Sequence, residues 1–311
     1  MPATRKPWPA QLGLSIALAV LMAGLSAARP NFLTLANLVN VLRQISINGI
    51  LAVGVTYVLL TGGVDLSLGS LVALTGVIAA RFAHPGEFAV FVPVCLGILA
   101  GACCGVVNGW IVTRGRVAPF IVTLGTMTSA RGLALLASGG RPVSNLSAAF
   151  TRIGGGDVAA VPIPILIFFG VALASHIFLR NIRAGRHLYA VGGNENAARA
   201  SGLKVGRIKM MAYTLCGALA GLAGVVLASR ITTGQPNAGI GYELDAIAAV
   251  VIGGTSLNGG VGGVWGTVLG ALLIGVLNNG LDLLNVSSYY QQVIKGVIIV
   301  GAVWLDRSNE R

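Results

Sequence analysis

Residues 50–80 read ILAVGVTYVLLTGGVDLSLGSLVALTGVIAA, an uncharged apolar run, a glycine-rich break with one aspartate, and a second apolar run. The plan recurs once. Residues 244–282 pass from one apolar run through GGTSLNGGVGG, at 253–263, into the next. An offset of 191 aligns Gly62 with Gly253, Gly63 with Gly254, Leu66 with Leu257 and Gly69 with Gly260. Glycine-interrupted hydrophobic segments at corresponding positions in two halves are the sequence trace of repeated transporter architecture, in which broken helices lie near the substrate route.

The rest of the chain places these segments in a bilayer. Of 311 residues 55% are apolar and only 10% charged, too few charges to cover a water-soluble globule. Mean hydropathy is +0.84. Uncharged stretches of about 18 residues, the length needed to cross a hydrocarbon core, recur along the sequence. They predict spans near 10–28, 44–61, 66–80, 88–113, 117–138, 161–179, 210–229, 244–256, 263–282 and 289–305. The expected fold is therefore all-α, one polytopic transmembrane bundle over 1–311 with about ten helices, broken or re-entrant segments and a weak internal repeat. The first run has Arg5 and Lys6 before it and Ser26, Ala27 and Ala28 after it, as a cleaved secretory signal would. Its length and the many later spans favour an uncleaved anchor behind a short tail at 1–9.

A net charge of +12 suggests nucleic acid in a soluble protein, but its distribution excludes that partner here. Arg180, Arg183, Arg186, Arg199, Lys204, Arg207 and Lys209 share the segment 180–209 with a single acid, Glu195. Basic residues gather on the cytoplasmic side of membrane proteins. That rule puts 180–209 and both termini in the cytoplasm, and it predicts a plasma (inner) membrane protein in contact with anionic lipid.

Enzymatic chemistry finds no support in the residue pattern. Cys95, Cys103, Cys104 and Cys216 lie in hydrophobic segments without metal-ligand spacing, and His84, His176 and His187 are scattered. No metal or other cofactor is expected in this chain. It also lacks a G-x-x-x-x-G-K-[ST] phosphate loop, so any ATP-Mg that drives it binds another chain.

Ionisable and amide side chains at membrane depth are costly, so they mark either pathways or structural pairing. Asp65 and Ser67 follow the first glycine break, where Asp65 can accept backbone N–H bonds at the start of the next helix. Asn48, Asn108, Asn278 and Asn279 lie within spans and can meet a hydroxylated solute or bind helices together. Lys295 is the deepest cation. A hairpin turning near 285–286 sets it opposite Val276 and beside Asn278 and Asn279, in the polar interior. Arg43 and Arg131, nearer span ends, can snorkel. The run GALAGLAG at 217–224 has the small-residue spacing on which membrane helices pack closely.

The stretches GGVDLSLGS (62–70), YAVGGNENAARASGLKV (189–205), GYELDAIAAVVIGGTSLNGGVGGVWGT (241–267) and LLIGVLNNGLDLLNVSSYYQQVIKG (272–296) occur in one chain and in this order. Together they resemble the ribose-type branch of the permease family that includes ribose, xylose and galactose importers, from about residue 37 to 305. The resemblance implies the membrane permease of an ATP-binding-cassette importer for a small sugar, working as two copies with a cytoplasmic ATPase and an extracytoplasmic binding protein. It makes 180–209 the element that couples to the ATPase, with Asn194, Glu195, Ala198, Ser201 and Gly202 as contacts. Without it, the segment reads as a solvated basic loop that holds anionic lipid. Import of a nucleoside or a branched-chain amino acid would use the same fold. An ion-coupled secondary transporter would need more ionisable groups within the membrane than this sequence carries.

Overall fold

The computed structural model describes residues 8–308, and its core is a bundle of long helices around one pair of broken segments. Helix α1 (Trp8–Ala28) leads through a 3-10 turn, Pro30–Leu33, into the 26-residue α2 (Leu35–Leu60), which Thr34 caps by accepting the Asn37 amide. After the first glycine break comes α3 (Leu68–Arg81), then the long pair α4 (Phe91–Arg114) and α5 (Pro119–Ser138). Proline opens α5 at its first turn, and Gly139, at φ +63°, closes it in the left-handed conformation that glycine adopts without a Cβ penalty. A short α6 (Ala148–Gly155) and a hairpin of β1 (Asp157–Val158) with β2 (Val161–Pro162) precede α7 (Ile163–Asn181). Two short helices follow, α8 (Arg183–Gly193) and α9 (Glu195–Ala200), and then the 26-residue α10 (Val205–Arg230). The second broken segment is α11 (Tyr242–Ile252) with α12 (Val264–Leu283), and α13 (Ser288–Ser308) ends the described chain.

Each of the ten expected spans has a helix, with instructive differences. Among the described residues, seven helices are long and apolar enough to cross a membrane. Helix α3 has 14 residues and α11 has 11, which at 1.5 Å per residue rise only about 21 and 16 Å. Neither crosses a ~30 Å core alone. Each adjoins one of the glycine breaks, at 62–67 and 253–263. Helix α2 starts nine residues before the expected 44, because Asn37, Asn40 and Arg43 all find partners there. Asn37 and Asn279 exchange amide hydrogen bonds at 3.0 Å, Arg230 donates to Asn40 at 3.2 Å, and Arg43 pairs with Asp157 at 2.6 Å. Of the tail expected over 1–9, residues 1–7 lie outside the described residues.

With little hydrophobic force between helices in lipid, close backbone approach and van der Waals contact hold the bundle. Helices α4 and α10 show how. A Cβ on Gly101 would overlap the Gly217 carbonyl, one on Gly105 the Tyr213 carbonyl, and one on Gly217 the Gly101 carbonyl. The GALAGLAG run therefore packs within the chain, and Gly224 continues it against the Val72 and Thr75 turn of α3. Helices α2 and α12 run antiparallel between the two halves: Asn37 meets Asn279 at one end, Gly275 packs on Ile45, and the Thr56 and Thr267 hydroxyls bond at 2.8 Å near the other.

Candidate functional site

The two glycine breaks meet each other. In the first, the chain leaves α2 through Gly62 at φ +73°, and in the second Gly259 and Gly260 take φ values of +89° and +73°. The Gly260 amide donates to the Leu60 carbonyl at 3.0 Å, closing one break on the other. A third glycine pair completes the contact. A Cβ on Gly192, at the end of α8, would overlap both the Leu60 carbonyl and the Gly260 nitrogen, and Gly193 lies against Gly260. The Tyr189 hydroxyl of α8 also donates to the Gly262 carbonyl at 3.1 Å. Segment 180–209 is thus bound by backbone contact to both broken segments. Side chains at these glycines would force the three strands of chain apart.

Helix α9 hangs from this junction. Asn194 caps it by accepting the Ala197 amide at 2.9 Å, and Gly202 turns the chain away at φ +83°. Glu195 pairs with Lys209 at 2.6 Å and with Arg199 at 2.8 Å. The Lys209 hydrogen bond, with help from Arg199, holds the Glu195 carboxyl below its ordinary range. Of the coupling residues expected from sequence, Asn194, Ser201 and Gly202 are exposed and Glu195 is half-buried. Ala198 is not at the surface: it is buried in the hydrophobic cluster, so its part is to seat α9 on the bundle. A partner would meet α9 through the exposed Asn196, Arg199 and Ala200 instead.

The pathway candidates fall into two groups. Asp65 is fully buried and its Oδ1 accepts both the Ser67 amide at 2.9 Å and the Ser67 hydroxyl at 2.6 Å. That ties the break to the start of α3, two residues ahead of the cap position. Asn108 of α4 donates to the Ser67 hydroxyl at 3.3 Å and accepts from Thr126 of α5, so the network runs outward to α5. The exposed face of α5 carries Gly125, Thr128 and Ser129 among its apolar residues, an unusual surface to present to lipid tails.

Asn48, Asn278 and Lys295 form the second group, on α2, α12 and α13. Asp245 of α11 joins two of them, accepting from Lys295 at 2.9 Å and from Asn278 at 3.4 Å, and it shares a cavity lining with Asn48. Asn278 and Asn48 turn toward a small cavity with Gln44 and Asp245, and their side-chain oxygens are buried there without a partner. It has space for about one water. Asn279 does not join them, because its amide is consumed by Asn37. The sequence reading singled out Lys295 and missed Asp245. One signal for it was available: a cation deep in the membrane needs an anion, and acids within spans are few.

The remaining spanning cation, Arg131, donates to the Pro236 and Ala238 carbonyls at 2.7 and 2.8 Å, so it is paired rather than snorkelling. No group of three or more His, Cys, Asp or Glu side chains among the described residues could hold a metal ion.

Comparison with known proteins agrees with this architecture. Residues 37–303 match the family described as branched-chain amino acid transport system / permease component. The chain is 48% identical to the ribose import permease protein RbsC of Escherichia coli K12, over 98% of this chain and 96% of that protein. It is 47% identical to the protein of the same name from Bacillus subtilis 168, over 96% and 93%. The D-allose transport system permease protein AlsC of Escherichia coli K12 is 37% identical, over 95% and 91%. No solved structure matches the chain. This protein belongs to the branched-chain amino acid transport system / permease component family, and it is a membrane-spanning transport subunit rather than an enzyme.

Proposed function

We propose that the chain is the permease of an ATP-driven importer for a small sugar and that its cargo is ribose. The observation that carries this reading is the near-full-length likeness to ribose import permeases at 48% and 47% identity, against 37% for the allose permease and 35% for the xylose permease of Haemophilus influenzae. Both termini and the α8–α9 segment face the cytoplasm, where the basic residues of 180–209 favour retention. The whole chain acts as a single membrane domain. A cytoplasmic cassette ATPase binds ATP-Mg and docks on α9. Its closure reaches the glycine junction through Gly192 and Gly193, which touch both broken segments. An extracytoplasmic binding protein delivers sugar on the opposite face. A second copy covers the Gly125, Thr128 and Ser129 face of α5, which turns the Asp65, Ser67, Asn108 and Thr126 network toward the path between the copies.

The test is cargo-stimulated ATP hydrolysis in the assembled complex. Binding protein loaded with ribose is expected to raise hydrolysis by the permease and its ATPase above the rate with empty binding protein. Xylose, allose and leucine, each on its own binding protein, are expected to leave that rate unchanged. Stimulation by the leucine-loaded protein and none by the ribose-loaded one would move the chain to amino acid import.

A further inference from the structure

A large open cavity of about 1130 Å³ lies between the α4–α5 turn and the start of α10, and it is strongly basic. Arg114, Arg116, Lys204 and Arg207 line it, and none of them has a hydrogen-bonded or ion-paired side-chain partner among the described residues. The one acid in the lining, Glu195, is already engaged by Arg199 and Lys209. The four side chains are exposed and line one cavity, so together they set up a positive potential that draws anions. The cavity is therefore short of an anion.

The walls decide which kind. Trp110, near the end of α4, lines the cavity and is 59% exposed. Phe120 and Ile121, on the first turn of α5, are 56% and 61% exposed. Phe120 and Ile121 directly follow Pro119, which lines the cavity, and tryptophan favours the boundary between headgroups and acyl chains. A ligand that answers both features has an anionic head and apolar tails. Basic pockets at the cytoplasmic ends of membrane helices hold anionic lipid headgroups in this way. An acidic protein surface would answer the charges and leave the Trp110, Phe120 and Ile121 faces uncovered. We infer that the cavity binds one anionic phospholipid, with its phosphate among Arg114, Arg116, Lys204 and Arg207 and its acyl chains along α4 and α5. The inference takes the leaflet from the orientation proposed above and does not depend on the cargo. Because Lys204 lies between α9 and α10 and Arg207 in the first turn of α10, the lipid braces the coupling helix against the α4–α5 turn.

Trp110 is the reporter. In a full-length chain with Trp8→Phe, Trp265→Phe and Trp304→Phe, reconstituted in phosphatidylcholine vesicles, fluorescence is quenched by brominated phosphatidylglycerol or brominated phosphatidylcholine. Half-quenching by the anionic lipid is expected at about tenfold lower mole fraction. The variant Arg114→Gln/Arg116→Gln/Lys204→Gln/Arg207→Gln is expected to show the same half-quenching point for both lipids. If that variant does not fold, Arg116→Gln/Arg207→Gln is expected to narrow the difference severalfold, while Arg180→Gln/Arg183→Gln on the same face leaves it intact. Equal quenching by the two lipids in the unneutralised chain, or a preference that survives neutralisation, would overturn the proposal. So would a preference that disappears when the cassette ATPase binds, since the cavity would then belong to the protein partner.

Discussion

The single acid that decides the second polar group is Asp245. Its side chain is 8% exposed and it accepts from both Lys295 and Asn278, so three helices depend on one carboxylate. Removing one member of such a pair leaves the other charge uncompensated in a low-dielectric site, at a cost of about 3–5 kcal/mol. Replacing both removes the demand. Lys295→Met is therefore expected to lower the thermal denaturation midpoint of the purified chain, and Asp245→Asn with Lys295→Met to restore most of it. A double variant no more stable than the single one would mean that the pair does not bind α11 to α13. Lys295 was legible as a deep cation near Asn278, and the hairpin geometry of α12 and α13 was enough to put it there. Asp245 was legible only through the rule that a deep cation needs an anion, because its run reads as apolar and its partner lies 50 residues away. Asn279 shows the opposite limit: an amide within a span has the same sequence appearance whether it faces a cavity or, as here, another amide on α2.

Hydropathy located all ten apolar elements, because a helix long and apolar enough to cross lipid cannot hide among polar segments and the shorter α3 and α11 are as apolar as the rest. It failed where polar groups are satisfied by tertiary partners, as in the first nine residues of α2, and where elements are short, as in α6 and the β1–β2 hairpin. The glycine breaks were visible in sequence, although the offset of 191 aligns Gly62 at φ +73° with Gly253 at φ −65°, so the aligned glycines do not share a conformation. The meeting of the breaks with Gly192 was not visible, since contact among three separate stretches follows from the packing of α2, α8 and α12. This junction gives the element-scale prediction. Gly192→Ala places a methyl group against the Leu60 carbonyl and the Gly260 amide, so α8 must move off the breaks. ATPase binding is expected to persist, because α9 keeps its cap and its ion pairs, while cargo-stimulated hydrolysis falls to the unstimulated rate. Full stimulation in the Gly192→Ala complex would separate the junction from coupling.

Across the whole molecule the two broken segments are arranged with opposite proportions. In the first a 26-residue helix precedes the break and a 14-residue helix follows; in the second an 11-residue helix precedes it and a 20-residue helix follows. The long members, α2 and α12, lie antiparallel with hydrogen bonds at both ends, and the breaks close on each other at one face of the bundle. That face also carries α8, α9 and the basic cavity. The other carries the loops around Arg131 and the β1–β2 hairpin. A movement imposed on α9 is thus passed by backbone contact to both halves at once, which suits a transporter powered from one side. The proposed ATP-driven entry of ribose is tested most directly by labelled ribose uptake into vesicles holding this chain and its cassette ATPase, with ATP inside and loaded binding protein outside. Accumulation that requires ATP and stops when it is withheld is the predicted result. Ribose accumulation without ATP, driven by a proton or sodium gradient alone, would contradict it.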